Sequence, residues 1–455
     1  MLVNNKKRPL KHLICFLLFM PVLMFGQHSI KGTFTPAQDY NVALLYKVTP
    51  TISEYITSTE VNSEGKFGFL LDSTATKGVY RVVYAIPQED FNFDVIYNGK
   101  EDIELKFNSE TGVKFTKSAE NKMLTSYQNS MSAVVHSISN YYASEKKDTT
   151  ALKGIFKAQG QAQLSYEKAA SGTLALHFIK ANKPYIPTKA LSAQNYIAKL
   201  KTHYFDYVDF TNPILQSSSF LEEKMLNYVF GMTSKDLNEI DNYKANIDVV
   251  YKAMAKAPNE VKRMLLLDLW QEMVDLKQEK TANYISDKYL HDIGLALEDR
   301  ELVNALNAYK RVSLGNMAPD FELSVTENGK KINKKLSQLN VAKQYILVFW
   351  NSSCSHCLDE IPQLKTFANT LEKGEVKVVA VGLEADEEIE AWKKEIKKYP
   401  EFIHVLGSGK WGSKIGKTYG IVETPTYFIL NAQKVIVNKP EDIDEVVAFF
   451  ELDDE

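Results

Sequence analysis

The sequence predicts a multidomain chain: an N-terminal antiparallel β domain, a central all-α region and a C-terminal α/β domain. Three observations carry this. Short Val-, Ile-, Tyr- and Phe-rich runs separated by turn signals fill residues 28–115. Apolar residues at helical spacing dominate 117–310. Strand runs then alternate with helical patterns over 315–450. The composition agrees: 455 residues, 45% apolar and 24% charged, suit a globular chain of about three domains. Three Cys are too few for a disulfide scaffold. A formal charge of −3 leaves no basic surplus for nucleic acid.

Ahead of these regions, Lys6, Lys7, Arg8 and Lys11 precede an apolar run from Leu13 to Phe25, and small Gly26 follows. This is the layout of an export signal, expected to occupy residues 1–26. The run is shorter than a membrane span of roughly 20 residues. An uncleaved anchor is the alternative. Cys15 lacks the small residue before it that a lipid site needs. Cleavage would leave two Cys and a formal charge of −7 in a protein placed at the periplasm or extracytoplasmic face.

In the β region, the expected strands are Val42–Tyr46, 52–59, Lys66–Leu71, 78–84, 91–97 and 102–107. Turn signals at Ser63-Glu64-Gly65, Thr76-Lys77-Gly78 and Asn98-Gly99-Lys100 separate some of them. Alternation in Asp102-Ile103-Glu104-Leu105-Lys106-Phe107 fits a sandwich or barrel. In the α region, Val261, Leu265, Leu269 and Met273 form a stripe that starts after Pro258, widened by Trp270 and Val274. Leu221, Met225, Leu226 and Val229 form another, ending at Gly231. His136, His177, His203 and His291 are scattered and lack metal-ligand spacing. This region is expected to act as a spacer or to form a homodimer. In the α/β region, Gln344–Trp350 and 376–381 are expected as strands, with a hairpin pair at 426–430 and 434–437. Helices are expected at about 357–371, 387–398, 410–419 and 442–450, and the acidic tail 451–455 is expected to fray.

The chemistry sits in Phe349-Trp350-Asn351-Ser352-Ser353-Cys354-Ser355-His356-Cys357. A C-x-x-C between a buried strand and a helix has redox meaning. At the first helical turn Cys354 would receive unpaired backbone N–H groups and the positive end of the helix, which lower its pKa. Cys357, one turn in, would be the resolving thiol. Zinc needs about four ligands. The exported chain offers two Cys, and His404 is distant in sequence. His356 is expected to stabilise the Cys354 thiolate, which would make the potential less reducing than thioredoxin's value of about −270 mV. A second motif, Val422-Glu423-Thr424-Pro425-Thr426, begins 68 residues after Cys354, before a strand. A cis Pro425 would leave the Thr424 backbone free to pair with an extended partner; a trans Pro at a strand start is the alternative.

Residues 315–450 resemble the thioredoxin-like domain of the TlpA/ResA-like thiol-disulfide oxidoreductases. The matching residues are Gly315-x-x-Ala318-Pro319-Asp320-Phe321, Phe349-Trp350, Cys354-x-x-Cys357, Glu360-x-Pro362 and Thr424-Pro425-Thr426. The resemblance implies a nucleophilic Cys354, a cis Pro425 and extracytoplasmic thiol chemistry with protein dithiols or disulfides. It implies substrate contact by Trp350, Thr424 and Pro425. It also matches Glu384 to an acidic residue that manages the proton of the buried thiol. Two departures stand out: Ser353 replaces the usual Trp before the first Cys, and Ser355-His356 is not the common dipeptide. The layout and Ile30-x-Gly32 resemble, more loosely, the β domain that precedes such domains in exported Bacteroidota proteins. The expected activity is protein thiol-disulfide exchange in the reducing direction. It would need no cofactor beyond the redox-active disulfide, and a membrane electron donor would supply it. A binding or structural module at the cell surface, with a redox-sensitive adaptor domain, is the alternative. A peroxidase is disfavoured, because Asn351 stands where a Thr-x-x-Cys motif has its Thr.

Overall fold

The computed structural model describes residues 28–144, 148–327 and 329–452. The expected export segment 1–26, with Cys15, and the tail residues 453–455 lie outside them. Among the described residues, no helix is long and apolar enough to cross a membrane. The chain divides into two compact units, Met1–Phe220 and Leu221–Glu455.

In the first unit eight strands form two four-stranded sheets. They are β1 (His28–Thr35), β2 (Val42–Val48), β3 (Ser53–Glu60), β4 (Lys66–Leu71), β5 (Gly78–Val83), β6 (Asn92–Tyr97), β7 (Ile103–Asn108) and β8 (Gly112–Lys117). The sheet orders are β4-β1-β7-β8 and β3-β2-β5-β6. All pairings are antiparallel except β1 with β7, which is parallel. Alternation does its expected work: Ile103, Leu105 and Phe107 point into a core with Ile30, Phe34, Leu45 and Phe69. Gly32 is required there. A Cβ on it would lie 2.3 Å from the Phe67 ring, and that ring is stacked on Phe34 at 4.3 Å. Helices Ala119–Ala143, Thr149–Ala169 and Ala175–Ala181 follow.

The second unit opens with helices. The stripe expected from Val261 to Met273 lies in the helix Asn259–Asp275, which buries Val261, Leu265, Leu266, Leu269 and Met273. The helices of the stretch 117–310 fall on both sides of the boundary between Phe220 and Leu221. The later helices are tied to the α/β layer: the Glu279 carboxylate accepts from Lys439 Nζ at 2.5 Å and Leu314 N at 2.7 Å. Periodicity reveals a helix and its apolar face, not the layer against which that face packs.

The α/β layer contains β9 (Glu322–Glu327), β10 (Lys330–Lys335), β11 (Gln344–Trp350), β12 (Val376–Glu384), β13 (Ile403–Ser408), β14 (Thr426–Asn431) and β15 (Ile436–Asn438). β9 and β10 form a ribbon. The main sheet runs β13-β12-β11-β14-β15, with β11, β12 and β13 parallel and the rest antiparallel. β11 is buried on both faces, as a central strand must be. Tyr345, Leu347 and Phe349 enter one core; Ile346, Val348 and Trp350 enter the other with Cys357, Ile361 and Leu364 of the helix Ser355–Ala368. This places the end of β11, the start of that helix and the end of β12 at one edge of the sheet.

Candidate active site

Cys354 is the N-cap of the helix Ser355–Ala368. Its sulfur accepts the Cys357 N–H at 3.4 Å, and its thiol donates to the Thr424 carbonyl at 3.3 Å. Both cysteines are free thiols. Partial burial works to raise the Cys354 pKa. Bonds from Cys357, with smaller contributions at Thr424 and the His356 N–H, outweigh it and hold the thiol below its ordinary value. Cys357 is fully buried, and burial pushes it up to about 12. The pair is therefore split into an accessible, acidified sulfur and a buried one that keeps its proton.

Thr424 and Pro425 stand beside Cys354, joined by a cis bond. Val422, 83% exposed, and the exposed Glu423 precede them on the rim. His356 is exposed, and no hydrogen bond of its imidazole occurs among the described residues. Its backbone N–H is the smallest of the influences that hold the Cys354 thiol down. Trp350 requires a correction. It is fully buried in the core with Cys357, and its ring centroid lies 6.5 Å from that of Tyr399. A side chain with no exposed surface cannot touch a partner protein, so Trp350 backs the site rather than binding substrate.

Glu384, the last residue of β12, is also fully buried. Its carboxylate accepts from Ser352 N at 2.8 Å, Ser352 Oγ at 2.9 Å and Asn351 Nδ2 at 3.0 Å. Burial raises its pKa, and the Ser352 bonds oppose that. Its partners are thus the loop that delivers Cys354; no bond to Cys357 occurs among the described residues. Sequence reasoning quoted this loop but not its bonds to Glu384, and it passed over Glu388, which bonds Asn351 and Ser353. It also assigned no role to Glu360. The Glu360 carboxylate accepts from Tyr427 Oη and Ile443 N, both at 3.0 Å, joining the active-site helix to β14 and the last helix. The one signal for Glu360 was its place in the Glu360-x-Pro362 motif.

Comparison with known proteins fits this geometry. Residues 314–439 match the AhpC/TSA family. Thiol-disulfide oxidoreductase ResA of Bacillus thuringiensis subsp. konkukian is 31% identical over 132 residues, which is 29% of this chain and 70% of that protein. ResA of Bacillus anthracis is 32% identical over the same extent. Among solved structures, a thioredoxin-like protein from Bacteroides caccae is 19% identical with a TM-score of 0.32, covering 59% of this chain and 97% of its own. StoA from Bacillus subtilis is 27% identical with a TM-score of 0.23, covering 29% and 96%.

Proposed function

The chain belongs to the ResA-like thiol-disulfide oxidoreductases, and from that premise we propose that it reduces protein disulfides outside the cytoplasm through Cys354 and Cys357. The observation that carries this reading is the asymmetry of the pair: Cys354 is partly accessible and acidified, Cys357 buried and pushed up to about 12. The Cys354 thiolate attacks one sulfur of a partner disulfide. A bond forms between Cys354 and that sulfur, and the partner's other sulfur leaves as a thiolate that takes up a proton. Cys357 then gives up its proton, attacks Cys354 Sγ and releases the partner's second thiol. Two electrons and two protons pass to the partner, and Cys354 and Cys357 end as a disulfide.

In this reading Thr424 and Pro425 place the partner's backbone at the sulfur, and Glu384 acts on the proton step through the loop 351–353. No metal or organic cofactor takes part. A thiol donor at the membrane returns the electrons, and the helices supply a homodimer surface. The test is reduction of insulin disulfides by the wild type and by Cys354→Ser, with Cys357→Ala used to trap partners as mixed disulfides. Wild-type turnover lost in Cys354→Ser, with exported proteins trapped through Cys354, is the expected result. Turnover that survives Cys354→Ser would overturn the assignment.

A further inference from the structure

The helical turn Asp386–Glu388, just after β12, and the turn Lys410–Gly412, just after β13, meet over the loop that delivers Cys354. Glu388 Oε1 accepts from Lys410 Nζ at 2.9 Å and Ser353 Oγ at 2.9 Å; Oε2 accepts from Ala385 N at 3.0 Å and Asn351 Nδ2 at 3.2 Å. Asn351 Nδ2 carries two protons and faces three acceptors: Leu383 O at 2.7 Å, Glu384 Oε2 at 3.0 Å and Glu388 Oε2. One amide is therefore shared by two carboxyl groups. Asn351 Oδ1 in turn accepts from Ser353 N at 2.8 Å, and Cys354 N donates to Asn351 O at 3.2 Å. The chain bends to build this. Lys410 adopts a φ of +49°, a left-handed conformation unfavourable for a residue with a Cβ, and Gly409 before it donates its N–H to Glu384 O at 2.8 Å.

We propose that Glu388 and Lys410 are positioning residues for the redox centre: they clamp the Asn351–Ser353 loop behind Cys354 and set the charge felt by the Glu384 carboxyl. The inference rests on the redox reading above and on the role given there to Glu384. Two carboxylates that share one amide repel when both are ionised, so the charge on one raises the other. Lys410, bonded to Glu388, favours the charge there. Burial works to raise Glu388, but bonds from Lys410, the Ala385 N–H, Asn351 and Ser353 outweigh it and hold it down at about 2. Among the described residues no cation is bonded to Glu384. Burial raises it first; the Glu388 charge adds to the rise and Lys410 opposes it. On the same turn as Glu388, Asp386 accepts from Ser408 Oγ at 2.8 Å and the Glu387 charge acts on Lys410. Ser353 makes room for the clamp. Its hydroxyl, 2.5 Å from Asn351 Oδ1 and 2.9 Å from Glu388 Oε1, sits directly before the nucleophile.

The two residues act on Glu384 with opposite signs, and a purely structural role would not reproduce that. The experiment mixes the reduced full chain with dithiobis-nitrobenzoate at a series of pH values. Release of the first nitrobenzoate thiolate reports attack by Cys354; release of the second reports resolution by Cys357. The resolution rate of the wild type is expected to show an inflection that Glu384→Gln abolishes. Glu388→Gln removes the negative neighbour and moves the inflection to lower pH by about one pH unit. Lys410→Met removes the counter-charge and moves it to higher pH. Neither shifts the pH dependence of resolution in the Glu384→Gln background. Shifts in the same direction, an inflection unmoved by both, or shifts that persist without Glu384 would overturn the assignment of Glu388 and Lys410. A wild type that releases no second thiolate would instead overturn the redox reading itself.

Discussion

Among the described residues, two carboxylates are buried, one in each compact unit: Glu120, 6% exposed, and Glu384, with no exposed surface. Their hydrogen bonds look alike. Glu120 accepts from Leu174 N at 2.9 Å, Ala175 N at 3.2 Å and Asn98 Nδ2 at 3.1 Å. Glu384 accepts from two Ser352 donors and Asn351. The difference lies in what the donors belong to. Leu174 and Ala175 open a short helix, so Glu120 satisfies N–H groups that would otherwise be orphaned, and beside it Asn121 bonds both the N–H and the C=O of Ile96. Asn351 and Ser352 lead directly into Cys354. A buried, fully bonded carboxylate is therefore not evidence of chemistry; what sets Glu384 apart is that its donors belong to the loop that leads into Cys354.

The largest effect that could sharpen this contrast lies between the two cysteines. Only the thiolate reacts with iodoacetamide. Cys354 lies below the ordinary thiol range, while Cys357 is pushed up to about 12. Alkylation of the reduced protein at pH 7 is expected to be at least about a hundredfold faster at Cys354, with Cys357 reacting only as the pH becomes strongly alkaline. Peptide mapping of the alkylated protein reads this. Modification led by Cys357 would reverse the assigned roles and detach Glu384 from the reaction.

The next effect belongs to the first unit. Glu120→Ala leaves two backbone N–H groups without their acceptor and is expected to destabilise that unit by about 3 kcal/mol. The redox centre should be untouched. All four Trp residues, at 270, 350, 392 and 411, lie in the second unit. Tryptophan emission therefore follows the second unit, and tyrosine near-ultraviolet signals weight the first. A Glu120→Ala chain with an early tyrosine transition, an unchanged tryptophan transition and full insulin reduction supports the contrast. Lost reduction in a chain whose second unit stays folded would break it.

How much of this was legible beforehand follows from the range of each interaction. Gln344–Trp350 was readable as a strand because the six residues from Tyr345 to Trp350, buried on two faces, leave an unbroken apolar run. The C-x-x-C placement followed because strand, loop and helix are consecutive in sequence. β8, β9, β10 and β13 were missed. β8 has no buried residue, and β13 carries His404, Gly407 and Ser408 among its six positions, so neither strand shows a strong apolar pattern. Trp350 was misplaced because an aromatic next to a motif suggests contact, whereas both faces of β11 are covered and leave it enclosed. Glu388 and Lys410 were invisible for a different reason. They lie 34 and 56 residues beyond Cys354, on two short turns, and only the parallel packing of β11, β12 and β13 brings them to its loop.

The smallest effect is a slope. Burial raises the Glu384 carboxyl above the ordinary carboxylate range, against the pull of its Ser352 bonds. The folded chain then holds this proton at pH values where the unfolded chain has released it. Stability rises with pH where the unfolded state binds more protons. Here the folded state binds more, so the contribution is present below the ordinary carboxylate value. It falls as the pH rises from there through the raised midpoint, and it is level above. Glu384→Gln has no proton to lose, so the difference in stability between wild type and variant should decline over that window and then flatten. Urea unfolding followed by tryptophan emission at several pH values measures it in the second unit alone. A difference that rises with pH would mean that the Ser352 and Asn351 donors outweigh burial and hold the carboxylate ionised. Glu384 would then match Glu120 as a structural acceptor, and the contrast between the two carboxylates would rest on Cys354 alone.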